Sequence, residues 1–239
     1  MKLWPLLRRL IPVGSVGLIL LITTLVWASP ERLFTSLTGY DPLSLEEQQT
    51  AYTLALAHDQ VQSLIRGQRT AVLLVERHDE PKSVTQFGSW ARRADVYVYN
   101  YNQDQLLHVL VDLSARTVSA VETLQEVQLP LTEAEVAAAY QRVLADPVAG
   151  GALRRQFQAV TGAALDQPEQ QLKYRALIFR ASAMPDVPLG AAAECGRRRC
   201  AQLLIATQGD VLIDLLPIVD LSADRVASAS GFFSPEAQP

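Results

Sequence analysis

Pro42-Leu43-Ser44-Leu45-Glu46-Glu47, followed by Ala51-Tyr52, returns as Pro130-Leu131-Thr132-Glu133-Ala134-Glu135, followed by Ala139-Tyr140, with its internal spacing unchanged. Further along, Val111-Asp112-Leu113-Ser114-Ala115 with Val118 returns as Val219-Asp220-Leu221-Ser222-Ala223 with Val226. The order of the two motifs is kept, so the chain reads as two tandem copies of one supersecondary unit. Each copy opens with Ser or Thr three residues ahead of Glu, the reciprocal capping box that starts a helix.

From that opening the first copy reads as a helix carrying an apolar stripe (Leu45, Tyr52, Ala55, Leu56, Leu64, Ile65), stopped at Gly67. Strand patterns follow at 71–75, 94–101, 106–113 and 117–127, the second with Val96 and Val98 alternating against tyrosines. The second copy repeats the plan. Its helix carries Val136, Ala139, Tyr140, Val143 and Leu144 and ends or kinks at Asp146-Pro147. An insertion with a second helix is expected over 153–160, then strands at 172–181, 201–207, 211–219 and 225–230, with Gln208-Gly209-Asp210 as a hairpin turn. The fold class is α+β, each copy a helix on four antiparallel strands. The divisions are 1–28 an N-terminal membrane segment, 29–41 a linker, 42–128 the first domain, 129–233 the second, and 234–239 a disordered tail. Roughly a hundred residues per copy suffice for a core.

Ahead of the copies, Lys2, Arg8 and Arg9 precede an uncharged run from Leu10 to Trp27. As a helix that run spans ~27 Å, close to the hydrocarbon thickness of a bilayer. The basic flank places the N-terminus in the cytoplasm and the rest of the chain outside it. The run is longer than the apolar part of a usual signal peptide, and Trp27 suits an interface, so it reads as an uncleaved transmembrane anchor. A cleaved signal peptide ending at Ala28 is the alternative, and would leave the protein secreted. A net charge of −4 gives no electrostatic case for a nucleic-acid partner.

The chemistry-bearing residues are sparse. His78-Asp79-Glu80 with Glu76 offers imidazole and carboxylate groups but matches no cage pattern, and reads as a solvated loop. His58, His78 and His108 are scattered without ligand spacing, and His108 reads as a packed strand histidine. Asp210, Asp214 and Asp220 gather around one strand and read as capping or exposed residues. Cys195 and Cys200, the two cysteines of the chain, frame Arg197-Arg198-Arg199. Their spacing excludes a Cys-x-x-Cys redox pair and they lack a second pair for zinc. In an exported chain they read as a disulfide that clasps a short hairpin. The three arginines are then expected on an exposed tip, as a solvated turn or as a contact to an anion or phospholipid headgroup, where basic side chains contribute about 1 kcal/mol each. No catalytic, cofactor or metal residues are assigned.

Several stretches together resemble the small N-terminal domains of copper amine oxidases: Pro42-Leu43-Ser44-x-x-Glu47, Glu80-Pro81-Lys82, Arg92-Arg93-Ala94-Asp95-Val96, Val111-Asp112-Leu113, Gln128-Leu129-Pro130-Leu131-Thr132-x-x-Glu135 and Leu144-x-Asp146-Pro147. The resemblance covers roughly residues 40 to 230. It implies two tandem cystatin-like domains, the N2 and N3 type, which carry no chemistry in that family. The family's catalytic domain holds a tyrosine oxidised to topaquinone, in a Thr-x-x-Asn-Tyr-Asp/Glu motif, and copper on three histidines including His-x-His. Here Tyr97-Val98-Tyr99-Asn100-Tyr101-Asn102 lacks both the threonine and the acid, so oxidase activity is not expected. The expected function is a non-catalytic interaction or scaffold module held outside the membrane. Its partner is a protein, for which the resemblance suggests a separate amine oxidase catalytic chain. The alternatives are an accessory or divergent piece of amine oxidation, and a small-ligand-binding module on the sheets.

Overall fold

Ser44 accepts the Glu47 amide at 3.2 Å while Glu47 accepts the Ser44 amide at 2.8 Å, so the predicted capping box opens the first helix, α1 (Leu45–Ala57). The computed structural model describes residues 40–81, 83, 90–184 and 190–231. The predicted membrane segment and tail lie outside the described residues, among which no helix is long and apolar enough to cross a membrane.

α1 does not run on to residue 66. His58 is extended (φ −69°, ψ 131°), and a second helix, α2 (Asp59–Ile65), starts after it. Gln62 supports the break by donating its side-chain amide to the Leu56 carbonyl at 2.6 Å, one of the acceptors a helix end leaves unpaired. Four strands follow: β1 (Thr70–Arg77), β2 (Arg93–Asn100), β3 (Gln105–Asp112) and β4 (Thr117–Gln125). They form one antiparallel sheet in chain order, with Val98 opposite Leu107 and Val96 opposite Val109. Alternation puts Ala94, Val96, Val98, Leu107, Val109 and Val111 on the face under α1, where they meet Ala51 and Ala55.

The second copy is built likewise. Thr132 and Glu135 cap α3 (Glu133–Ala145), and Asp146, extended like His58, ends it. Asp146 then caps α4 (Pro147–Thr161) through the amides of Val148 and Ala149, with Pro147 in the first turn, where its missing N–H costs nothing. The expected insertion is thus the counterpart of α2, lengthened from 7 to 15 residues. Gly150 lets the chain turn tightly there, since a Cβ would stand 2.7 Å from the Leu144 carbonyl. A single turn, α5 (Pro168–Gln171), leads to β5 (Leu172–Phe179), β6 (Cys200–Thr207), β7 (Leu216–Asp220) and β8 (Arg225–Ser230), a second antiparallel sheet in chain order. The strand expected over 211–219 is shorter: 212 makes an isolated bridge to Ala206, and regular pairing begins at 216.

The duplication extends to irregularities. β3 shifts register at Leu110/Val111 and β7 at Ile218/Val219, the matching place. After each, Asp112 or Asp220 accepts the backbone amide three residues on at 2.8 Å, setting the same turn. The cores are not duplicated. The cluster beneath α1 draws only on the first copy, whereas the larger cluster of the second copy (Tyr140, Val143, Leu153, Phe157, Leu203, Ile205) also takes in Tyr99, Tyr101 and Leu106.

Candidate functional site

The polar residues of greatest interest lie at the helix start of each copy, in a clamp that occurs twice. Arg92, one residue ahead of β2, donates from Nε to Glu47 Oε1 at 2.8 Å and from Nη2 to Glu47 Oε2 at 2.9 Å and to the Pro42 carbonyl at 2.7 Å. Arg199, one residue ahead of β6, donates from Nε to Glu135 Oε1 at 2.5 Å and from Nη2 to Glu135 Oε2 at 2.8 Å and to the Pro130 carbonyl at 3.0 Å. The glutamate of each capping box therefore also receives a forked arginine. The amide of Leu113 donates to the Arg92 carbonyl and that of Leu221 to the Arg199 carbonyl, so strand pairing fixes where each guanidinium starts.

The two clamps differ in what seals them. The side chains of Arg92 and Glu47 keep 9% and 19% of their surface exposed; those of Arg199 and Glu135 keep 0% and 6%. In the second clamp Tyr101 of the first copy donates its hydroxyl to Glu135 Oε1 at 2.6 Å, and the Arg199 guanidinium lies 5.4 Å from the Tyr99 ring centroid. Nη1 of Arg199 reaches the Leu129 carbonyl at 3.0 Å and Gln128 Oε1 at 3.4 Å, so all five guanidinium N–H groups are used. The hydrogen bonds from Arg92 hold Glu47 down to about 2, against the opposing effect of burial. Burial raises Glu135, but the hydrogen bonds and charge of Arg199 outweigh it and leave that carboxyl below its ordinary range. Burial pushes Tyr99 up to about 12 and Tyr101 higher still, the latter helped by its bond to Glu135. Arg69 closes the junction, donating to the carbonyls of Leu221 and Ser222 at 2.6 and 2.7 Å.

Cys195 and Cys200 are joined in the expected disulfide. The arginines between them do not share an exposed tip. Arg197 is exposed and pairs with Glu194; Arg198 is half-buried, 3.1 Å from Asp220 and 3.9 Å from Asp104; Arg199 points inward. The reason is the repeat: Arg199 occupies the position one residue ahead of its strand that Arg92 holds in the first copy. Each guanidinium has a carboxylate partner, so the loop offers an anion three paired cations rather than three free ones. A polar groove of about 270 Å³ lies beside it, lined by Gln103, Asp104, Gln125, Glu126, Arg197 and Arg198.

Two of the histidines that look scattered in sequence meet on the face of the first sheet opposite α1. Asp95 lies 2.9 Å from His78 Nδ1 and 2.7 Å from His108 Nε2, and as a carboxylate accepts from both rings. Tyr97 stacks on His108 at 4.8 Å, and Glu122 stands 3.8 Å from its other nitrogen. Sequence reasoning passed over Asp95; strand alternation from β1 to β3 is the signal that places these groups together. Asp79 pairs with Arg77 and Glu80 with Arg93 rather than standing free beside His78. Among the described residues no three such groups are placed to hold a metal ion. Asp210 pairs with Lys173, Asp220 shapes its turn and holds Arg198, and Asp214 borders a separate cavity with Arg155 and Gln156.

The backbone plan has a solved counterpart. Of the known structures, that of a copper-containing benzylamine oxidase from Hansenula polymorpha is similar to 82% of this chain, with a TM-score of 0.52 and 13% sequence identity. At that identity the likeness is one of fold. The chain spans 30% of the oxidase chain. No protein-family profile and no curated protein sequence matches it.

Proposed function

We propose that residues 42–230 are a non-catalytic interaction module of the type found ahead of the catalytic domain in copper amine oxidases, with two cystatin-like units, held outside the membrane by the segment 10–27. The observation that carries this reading is the Arg199–Glu135–Tyr101 junction. It commits the best-placed polar groups of the chain to one another, which suits a rigid two-unit surface better than a reacting site. The fold likeness to the benzylamine oxidase, over 30% of that protein's chain, supports a related domain plan. The disulfide suits an oxidising compartment. The partner is a protein, and the fold likeness makes a separate amine oxidase catalytic chain its first candidate.

Crosslinking in native membranes, followed by affinity purification and mass spectrometry, tests the reading together with quinone staining and copper analysis of the purified chain. The expected result is one reproducible exported partner and a chain with neither quinone nor stoichiometric copper. A quinone-positive, copper-loaded chain would overturn it in favour of amine oxidation by this chain itself.

A further inference from the structure

The two copies share a plan but not their covering, and the difference leaves two faces bare. Leu106 of β3, opposite Tyr99, is buried to 1% exposure in the cluster shared by the copies. In the second sheet Ala206, seven residues after Arg199 as Tyr99 is after Arg92, has Leu212 opposite it, and Leu212 is 46% exposed. Around Leu212, the face of the second sheet turned away from α3 carries Leu204, Ala206 and Leu177 and a groove of about 510 Å³, with Arg175 and the Lys173–Asp210 ion pair at its rim. Arg175 has no carboxylate partner among the described residues, in contrast to the arginines of the disulfide loop.

The second bare face is on α1. Tyr140 of α3 is fully buried, clustered with Leu153 and Phe157 of α4 and stacked on Tyr174. Its counterpart Tyr52 is 39% exposed, and Leu45, seven residues earlier and so on the same side of the helix, is 83% exposed. The companion helix α2 has half the length of α4. Glu46 stands exposed beside Leu45.

We infer that the chain associates with itself head to tail, the apolar face of the second sheet beside Arg175 seating the Leu45–Tyr52 face of α1 from another copy. A second copy is the occupant that covers both faces at once, and the charges left over match. Lys173 is held by Asp210 and Glu47 by Arg92, which leaves the exposed Arg175 on one side and the exposed Glu46 on the other. Because the two faces differ, the contact is heterologous and leads to rings or open chains rather than a closed symmetric pair. This goes beyond the partner-binding reading, which survives its failure.

The test is sedimentation velocity and native mass spectrometry of the full chain in detergent over a wide concentration range, with Leu212→Glu and Tyr52→Lys. Both positions are exposed, so both variants are expected to keep the parent's melting profile. The wild type should assemble with concentration, and each variant alone should weaken assembly about tenfold or more. An equimolar mixture of the two should form pairs and nothing larger, because each retains the face that the other lacks. A monomeric wild type, assembly indifferent to both substitutions, or a mixture that does not pair would each overturn the inference.

Discussion

The Glu47–Arg92 and Glu135–Arg199 clamps have the same donors, the same acceptors and the same bracing proline carbonyl, yet one is partly open to solvent and the other is sealed. Local sequence sets the geometry of such a pair. What it contributes depends on neighbours far away in sequence, here Tyr99 and Tyr101 of the preceding copy. A buried pair is costly to break because the surviving partner keeps its desolvation penalty. An open one lets water replace what is lost.

The sharpest way to break the comparison is to remove each arginine. Arg199→Ala should cost about 3–5 kcal/mol, by stranding Glu135, whereas Arg92→Ala should cost about 1–3 kcal/mol. Urea unfolding of the two variants side by side measures the gap, and equal losses would mean that burial does not separate the clamps. Tyr101→Phe isolates the seal. It removes one hydrogen bond to a buried carboxylate and should cost about 1.5–3 kcal/mol, with no such loss in a variant that already lacks Arg199 and Glu135.

Reducing Cys195–Cys200 releases a short loop and should cost about 2 kcal/mol, felt by the second copy and read as a lower melting temperature under reductant. Two free thiols in the mass spectrum of the native protein would rule the effect out. The smallest effect is that of pH on the open clamp. Glu47 is held at about 2 in the folded chain, below its ordinary 4.5. Its contribution is therefore complete above the ordinary value and is lost as pH falls from there towards 2. Glu47→Gln should flatten that part of the acid-unfolding curve, because the variant is less stable than the parent near neutrality and the two converge as pH falls towards 2.

Much of the fold was legible because repetition carries its own check. Capping boxes, strands and turns predicted in one copy recur in the other, and the four-stranded sheets follow from alternation. The helix break at His58 was missed because its own neighbours hold no proline. Asp146-Pro147, the same position 88 residues on, signals it clearly. Arg199 was misplaced for a related reason. Read alone, it belongs to a run of three arginines between cysteines; set against Arg92, it opens a strand and turns inward. Asp95 with His78 and His108 could not be read at all from spacing, since they come from three strand regions and meet only through register.

The uneven cores have a consequence for how the chain is made. The cluster under α1 is complete within the first copy, while that of the second includes Tyr99, Tyr101 and Leu106. Synthesis delivers the first copy before the second. The part that can close unaided thus emerges first and stands ready as a template for the part that cannot. A fragment ending at 128 should fold, and one beginning at 129 should not. A gene with the two copies exchanged would put the dependent half in front of its support.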